Sequence, residues 1–375
     1  MRIGVPRECK DGERRVGLTP AGARALIVDG HSVAIAPNAG AVVGFADADY
    51  LRVGAEIAAS PEALWSCELI VKVKELQPSE FALLVPGTTV FAFAQLHGDR
   101  ALCEAVLAAR IRIIAYETVR DAAGALPLLA PMSRIAGRLA PFAGAQSLGT
   151  DRGGSGVLLP GVDDVPGANV VIVGAGSVGS EAARVAAQIG CRVCVFSRGE
   201  ARRTALQRSL KAFGHSVEAY PLSGVDDARF CAAVIDADLV IGAVLEPGKL
   251  SPKLLRRALV RSMRRGSALV DVGIDQGGIA ETSRLTKLSA PTYVDEGIVH
   301  YAVPNMPALV ARTATLALTQ ATLPHVRALA GRGISAALAA DPGLRAGAMV
   351  WQGAVIHAGL AADVNVPLAP APWAH

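Results

Sequence analysis

The stretch from Ala168 to Arg198 constrains the fold more than any other part of the chain. An apolar run, Val170-Val171-Ile172-Val173, leads into Gly174-Ala175-Gly176-Ser177-Val178-Gly179. Between Ser180 and Ile189 the apolar residues Ala182, Ala183, Val185, Ala186 and Ile189 recur at helical spacing. A second short run, Arg192-Val193-Cys194-Val195-Phe196, closes the unit. Strand, glycine turn, helix, strand is the context that gives a G-x-G-x-x-G match its weight. Gly174 allows the tight turn, Gly176 lets the backbone approach a pyrophosphate, and Gly179 lets helix and strand pack closely. The helix N-terminus then faces the phosphate charge. A dinucleotide site is predicted at Gly174, Gly176, Ser177, Val178 and Gly179. The bland alternative, a tight βα turn that binds nothing, has the complete βαβ context against it.

The end of the second strand bears on which dinucleotide. A site selecting the unphosphorylated nicotinamide cofactor usually carries Asp or Glu here, bonded to the ribose hydroxyls. This chain has Ser197-Arg198, then Arg202 and Arg203. No acid at that position repels a 2′-phosphate, and an arginine pairs with phosphate through two bonds. The reading is NAD(P), with NADP(H) favoured over NAD(H). The competing reading makes these arginines an ordinary solvated helix start.

A chain of 375 residues has room for two domains, each with its own core. No apolar run reaches the roughly 18 residues of a membrane span. The N-terminus, Met1-Arg2-Ile3-Gly4-Val5-Pro6, has no signal-peptide apolar region and enters an apparent strand at once. A cytoplasmic protein without membrane attachment is expected. The net charge of +4 comes without a basic block interleaved with aromatics, which argues against nucleic acid as a partner. The six cysteines are scattered. Cys191 and Cys194 form a C-x-x-C at a strand start with no second pair, so structural cysteines and no metal are expected.

In chain order, Ile3 to Pro6 reads as a buried strand and Arg7 to Val16 as a charged loop. Thr19-Pro20 caps a helix running to about Asp29, which Gly30 ends. Ser32 to Ala36 is the next strand. This front part is strand, helix, strand without the glycine fingerprint. Leu69 to Val73 reads as a strand delivering Lys74, and Thr88 to Leu96 as one delivering His97. Ligand groups cluster at the carboxyl ends of strands in open α/β sheets. Taken singly, Lys74 is equally a solvated loop lysine and His97 a helix N-terminal residue. Asp99 to Ala109 is helical, Arg112 to Ala115 a strand, Pro127 to Pro131 an extended linker and Met132 to Leu148 a helix crossing between domains. Strands follow at Ala237–Gly242 and Ser267–Gly273, the latter delivering Asp275. A helix from about Ala308 to Leu323 should end or kink at Pro324. The expected architecture is α/β: two doubly wound Rossmann-like domains separated by a cleft and joined by long helices. Residues 1–131 and 308–375 form a substrate domain, with the tail to position 375 packed there. Residues 132–307 form the dinucleotide domain.

Several motifs along the chain resemble those of a known family. Arg14-Arg15-Val16-Gly17-Leu18-Thr19-Pro20, Lys72-Val73-Lys74-Glu75, Leu96-His97 and Leu128 to Ser133 run in the same order as in the L-alanine dehydrogenase family. So do Gly156 to Leu159, Ile274-Asp275-Gln276-Gly277-Gly278 and Asn305-Met306-Pro307. The likeness runs almost end to end. The related transhydrogenase α subunit is similar in outline, and the presence of Lys74, His97 and Asp275 together favours the dehydrogenase branch.

The resemblance implies reversible oxidative deamination of L-alanine, or a similar small 2-amino acid, to the 2-oxo acid and ammonia. Arg15 would hold the substrate carboxylate, and Lys74 would bond to the carboxylate or oxo oxygen. His97 would be the general acid/base, and Asp275 would orient ammonia or water. Asn305 would touch substrate and cofactor, and Ser133 the cofactor. The chemistry fits these residue types. Arg grips a carboxylate at two points, His moves protons near neutral pH, and Lys stabilises charge developing on oxygen. A homo-oligomer, dimer or hexamer, is also implied. The chain departs from the family pattern at Leu76, Gly98-Asp99, Arg134 and Ser197. Arg134 and Gly98 adjoin substrate-side residues, which opens the alternative of a different small 2-oxo or 2-amino acid, one carrying an extra acidic group among them. The rival readings are a reductase of another 2-oxo acid or imine on the same fold, and a non-catalytic transhydrogenase-like subunit.

Overall fold

The computed structural model describes residues 1–212, 214, 217–244 and 250–373. Ala374 and His375, which the sequence reading packs against the substrate domain, lie outside the described residues. The chain divides into two compact units, Met1–Met132 with Ala308–His375, and Ser133–Pro307. The first division falls inside the helix Ala130–Ser147 and the second inside the 3-10 segment Met306–Val310.

In chain order the strands are β1 (Arg2–Val5), β2 (Ser32–Ile35), β3 (Glu56–Ile57), β4 (Leu69–Val71), β5 (Thr89–Ala92) and β6 (Arg112–Ala115). Then come β7 (Asn169–Val173), β8 (Arg192–Phe196), β9 (Glu218–Tyr220), β10 (Leu239–Gly242) and β11 (Ala268–Asp271). The last are β12 (Thr292–Asp295), β13 (Ile298–Tyr301), β14 (Ala348–Trp351) and β15 (Ala354–Val355). The first unit holds an eight-stranded sheet, β15-β14-β6-β5-β4-β1-β2-β3. Its run from β3 to β6 is parallel, and β14 and β15 close one side antiparallel. The second unit holds a seven-stranded sheet, β12-β13-β11-β10-β7-β8-β9, parallel except for β12. Each parallel core has the doubly wound order, and its direction of winding reverses beside the first strand, between β1 and β4 or between β7 and β10.

Burial explains why the strands read as near-continuous apolar runs. In β7, Val170 and Ile172 face one core cluster with Ala182, Ala183 and Ala186 of the following helix. Val171 and Val173 face another with Phe196, Phe230 and Leu269. Alternate side chains therefore serve opposite faces, and both faces are covered. Each fully buried Val or Ile contributes roughly 1.5–3 kcal/mol of transfer free energy. In the first unit Ile70, Val90, Ala92 and Ile113 pack with Met349, Leu360 and Val364 from the C-terminal part.

Local signals set the helix ends. Thr19 caps the helix Pro20–Val28 by accepting from Gly22 N–H at 3.1 Å, with Pro20 in its first turn. Among the boundaries that differ from the sequence expectation, four have a clear local cause or consequence. The strand before His97 stops at Ala92, because Ala94 and Gln95 donate to the Glu117 carboxylate and Gln95 turns left-handed at φ 47°. The helix after the glycine turn starts at Ser177, directly behind Gly176. Pro127–Leu129 is a turn, and the helix begins at Ala130. Pro324 does not end its helix, which runs from Ala311 to Arg332. Leu318, Thr322, Val326 and Leu329 are buried on both sides of the proline, so tertiary packing outweighs its local cost.

Candidate functional site

The glycine turn of the second unit lies at the carboxyl end of β7. Gly174 sits at φ 110°, and a Cβ there would lie 2.5 Å from the Ala243 carbonyl oxygen. A Cβ on Gly179 would lie 1.8 Å from the Gly174 carbonyl oxygen. Those two positions admit only glycine for internal reasons. Gly176 differs, since a Cβ there would meet nothing within 4 Å. Its missing side chain leaves open the space in front of the helix that starts at Ser177. That space, with backbone N–H groups at a helix N-terminus, fits a pyrophosphate. Ser177 is exposed and Val178 half-buried at the same turn.

At the end of β8, Ser197 is half-buried, while Arg198 and Arg202 are exposed. Arg203 is engaged locally: its Nη1 donates to the Ser197 oxygen at 2.5 Å and the Arg198 oxygen at 3.0 Å. It therefore shapes the turn that presents Ser197 and Arg198. Glu200 opens the next helix. Cys191 and Cys194 take no part here; burial pushes their thiols up to about 11 and about 12.

Asp275 is exposed on the 3-10 turn Ile274–Gln276 that follows β11. The residue that fixes this loop is Asp271, the buried last residue of β11. Its Oδ2 accepts from Ile279 N–H at 2.8 Å and from Ser283 Oγ at 2.5 Å. Burial raises the Asp271 pKa against those bonds. From the other side Lys253 Nζ donates to the carbonyls of Gly277, Gly278 and Ala280. Gly278 must lack a Cβ, which would lie 2.3 Å from Asp271 Oδ2. An aspartate directly after Leu269-Val270 is itself a strand-end signal that the sequence reading passed over. Asn305, half-buried, stands at φ 58°, a left-handed conformation that asparagine tolerates better than most residues. Ser133 is half-buried near the start of the helix Ala130–Ser147, and Arg134 beside it is exposed.

The first unit carries Arg15, Lys74 and His97. Arg15 is buried. Its Nε donates to Glu13 Oε1 at 2.7 Å and its Nη2 to Oε2 at 2.5 Å, while Nη1 lies 2.9 Å from Met132 Sδ. Glu8, buried nearby, accepts from Val73 N–H at 2.6 Å and from Lys74 N–H at 3.4 Å. Loss of water pushes the Glu8 carboxyl up to about 7, although Lys72 Nζ stands 3.6 Å away. Lys72 itself is fully buried and donates to Glu80 at 2.8 Å. Lys74 is buried too, with a charge close enough to pull on Glu75 and Glu117. Burial pushes the Glu75 carboxyl up, but its bond to Lys10 and the Lys74 charge outweigh this and hold it low. Glu117 connects Lys74 to the His97 loop by accepting from Ala94 N–H at 3.1 Å and Gln95 N–H at 2.7 Å. His97 follows two residues later, one-quarter exposed, with Nδ1 2.8 Å from Asp363 Oδ2.

Two departures from the family pattern have local explanations. Gly98 sits at φ 79° and Asp99 caps the helix Arg100–Ala108 through Leu102 N–H, so this pair builds the turn after His97. Leu76 is a buried member of the first unit's core. Among the described residues no group of three or more His, Cys, Asp or Glu side chains is placed to hold a metal, and no helix is long and apolar enough to cross a membrane.

Comparison with known proteins matches two family models. Residues 4–136 match the alanine dehydrogenase/PNT N-terminal domain, and residues 140–358 the alanine dehydrogenase/PNT C-terminal domain. The chain is 46% identical over 362 residues to the alanine dehydrogenase of Halomonas elongata, covering 96% of each chain. It is 40% identical to alanine dehydrogenase 2 of Staphylococcus aureus over the same share. A solved L-alanine dehydrogenase superposes with a TM-score of 0.92 at 44% identity, over 97% of this chain and 99% of that one.

Proposed function

The chain belongs to the alanine dehydrogenase/PNT family, and from that premise we propose that it interconverts L-alanine with pyruvate and ammonia. It is an amino-acid dehydrogenase, an oxidoreductase acting on CH–NH2 groups, of a family that uses a nicotinamide dinucleotide. The observation carrying the alanine reading is the near-full-length identity to two alanine dehydrogenases, with Arg15, Lys74 and His97 all on one unit.

In this reading Arg15, fixed by Glu13, grips the substrate carboxylate. Lys74 bonds to the carboxylate or to the oxo oxygen, whose developing charge it offsets. A nicotinamide dinucleotide held at the glycine turn would supply the acceptor for the hydride that leaves Cα. His97 takes a proton from the water that adds to the resulting iminium carbon and returns one to the departing nitrogen. Asp275 orients that water or ammonia. Gly174, Gly176, Ser177, Val178 and Gly179 hold the pyrophosphate, with Ser133 and Asn305 also toward the cofactor and Asn305 toward substrate. Ser197, Arg198 and Arg202 select NADP(H) over NAD(H). We also read the protein as a cytoplasmic homo-oligomer, dimer or hexamer. All six cysteines are free, as suits a reducing compartment, and Phe142, Leu158, Val162 and Val165 expose large apolar surfaces on the second unit.

The test is spectrophotometric. L-Alanine with NADP+ or NAD+, and pyruvate with ammonia and the reduced cofactors, should change absorbance with the purified protein alone, and His97→Gln should abolish the change. Glyoxylate and longer 2-oxo acids, with ammonia or methylamine, complete the panel. A better substrate among them, or silence throughout, sinks the alanine reading.

A further inference from the structure

We propose that Asp363 is the positioning residue for His97, committing its Nε2 to proton transfer. This rests on the reading of His97 as the acid/base. Asp363 lies 266 residues away in sequence, on the helix Ala358–Val364 near the C-terminus. Its Oδ2 stands 2.8 Å from His97 Nδ1. A carboxylate only accepts hydrogen bonds, so the shared proton belongs to Nδ1 and the lone pair of the neutral ring to Nε2. Nε2 can then take one proton from water as the water oxygen bonds to the iminium carbon and the C=N pair moves to nitrogen. The carboxylate meanwhile faces the imidazolium that forms.

The platform under this pair is firm. Leu360, Ala361 and Val364 of the same helix are buried in the first unit's core. A second imidazole, His357, lies edge-on to His97, with ring centroids 5.8 Å apart at 85°. It is already committed: its Nδ1 accepts from Leu360 N–H at 3.2 Å and so caps the helix. Burial, then the His97 ring, then Arg120 push the His357 pKa down, which keeps the cap neutral. The two rings therefore have separate work. Gly359 lies against both, since a Cβ there would sit 3.1 Å from His357 Cε1 and 3.8 Å from His97 Cε1.

The experiment compares Asp363→Asn, Asp363→Ala and Asp363→Glu with wild type and His97→Gln in the full-length enzyme. Steady-state kinetics and thermal melting are read together. The asparagine variant keeps the shape of the side chain, and alanine, a strong helix former at an exposed position, leaves the helix intact. Expected are a fall in kcat of about ten- to a hundredfold for Asn and Ala, an unchanged KM for the dinucleotide, a melting temperature within a few degrees of wild type, and substantial recovery in Glu. Wild-type kcat in both Asn and Ala, beside an inactive His97→Gln, overturns the role of Asp363 alone. So does a loss that tracks the melting temperature and is not recovered by Glu. An active His97→Gln overturns the proposal through its premise and identifies that premise as the failure.

Discussion

Glu13 and Arg15, two residues apart, face each other through a two-point fork with both side chains buried. The guanidinium plane is thereby fixed before any ligand arrives. Arg15→Lys keeps the charge but not the plane. It should raise the KM for the amino or oxo acid by about a hundredfold while leaving the KM for the dinucleotide unchanged. Arg15→Ala should in addition lower the melting temperature, because it removes the charge facing buried Glu13. Near-native substrate KM in Arg15→Lys would show that the carboxylate is held elsewhere.

Gly176 and Gly179 should fail in different ways. Ala at 179 places Cβ against the Gly174 carbonyl, so it should cost roughly 1–3 kcal/mol of stability as well as dinucleotide affinity. Ala at 176 meets nothing, so its melting temperature should match wild type while dinucleotide affinity drops. Calorimetric titration beside thermal melting separates the two. Unchanged affinity in Gly176→Ala would argue that the pyrophosphate lies elsewhere.

Cofactor preference should follow the end of β8. The wild type should favour NADPH by about ten- to a hundredfold, the worth of one charge-assisted pair of roughly 1.5–3 kcal/mol. Ser197→Asp combined with Arg198→Ala should move the preference toward NADH. Specificity constants for both cofactors in both proteins are the measurement, and equal or better use of NADH by wild type contradicts the assignment.

Glu8 should make stability depend on pH. Its folded pKa, about 7, lies above the ordinary value of 4.5, so the folded chain holds this proton more tightly than the unfolded one. That contribution is complete below about 4.5 and is lost as pH rises through 7. Glu8→Gln keeps an acceptor for Val73 N–H without the titration. Its melting temperature relative to wild type should therefore climb between pH 5 and 8, and a flat difference across that range would remove Glu8 as the source.

Local chemistry made much of this legible. The glycine turn, the Thr19-Pro20 cap and the buried parallel strands each follow from a few adjacent residues. The run from Thr88 to Leu96 misled because a buried loop is as apolar as a buried strand. Only the left-handed Gln95 and the bonds to Glu117 end the strand, and neither is visible in an apolar pattern. Pro324 misled because helix propensity is a local quantity while the packing of Leu318 and Val326 is not. Asp271 was within reach as a polar residue closing an apolar strand. Asp363 was not, since nothing in Ala361-Ala362-Asp363-Val364 points back to His97.

The two sheets share one strand order, yet their first turns are opposites. After β7 the chain strips away side chains, and in the proposed reading recognition is left to peptide N–H groups, which among single substitutions only proline removes. After β1 it does the reverse, loading Glu8, Glu13 and Arg15 into the crossover before the helix Pro20–Val28. Evolvability is therefore split along the chain. On the proposed reading, the backbone half can drift in sequence around three glycines and still serve its ligand. The side-chain half can be retuned to a new small molecule by one substitution, and can be ruined by one as well.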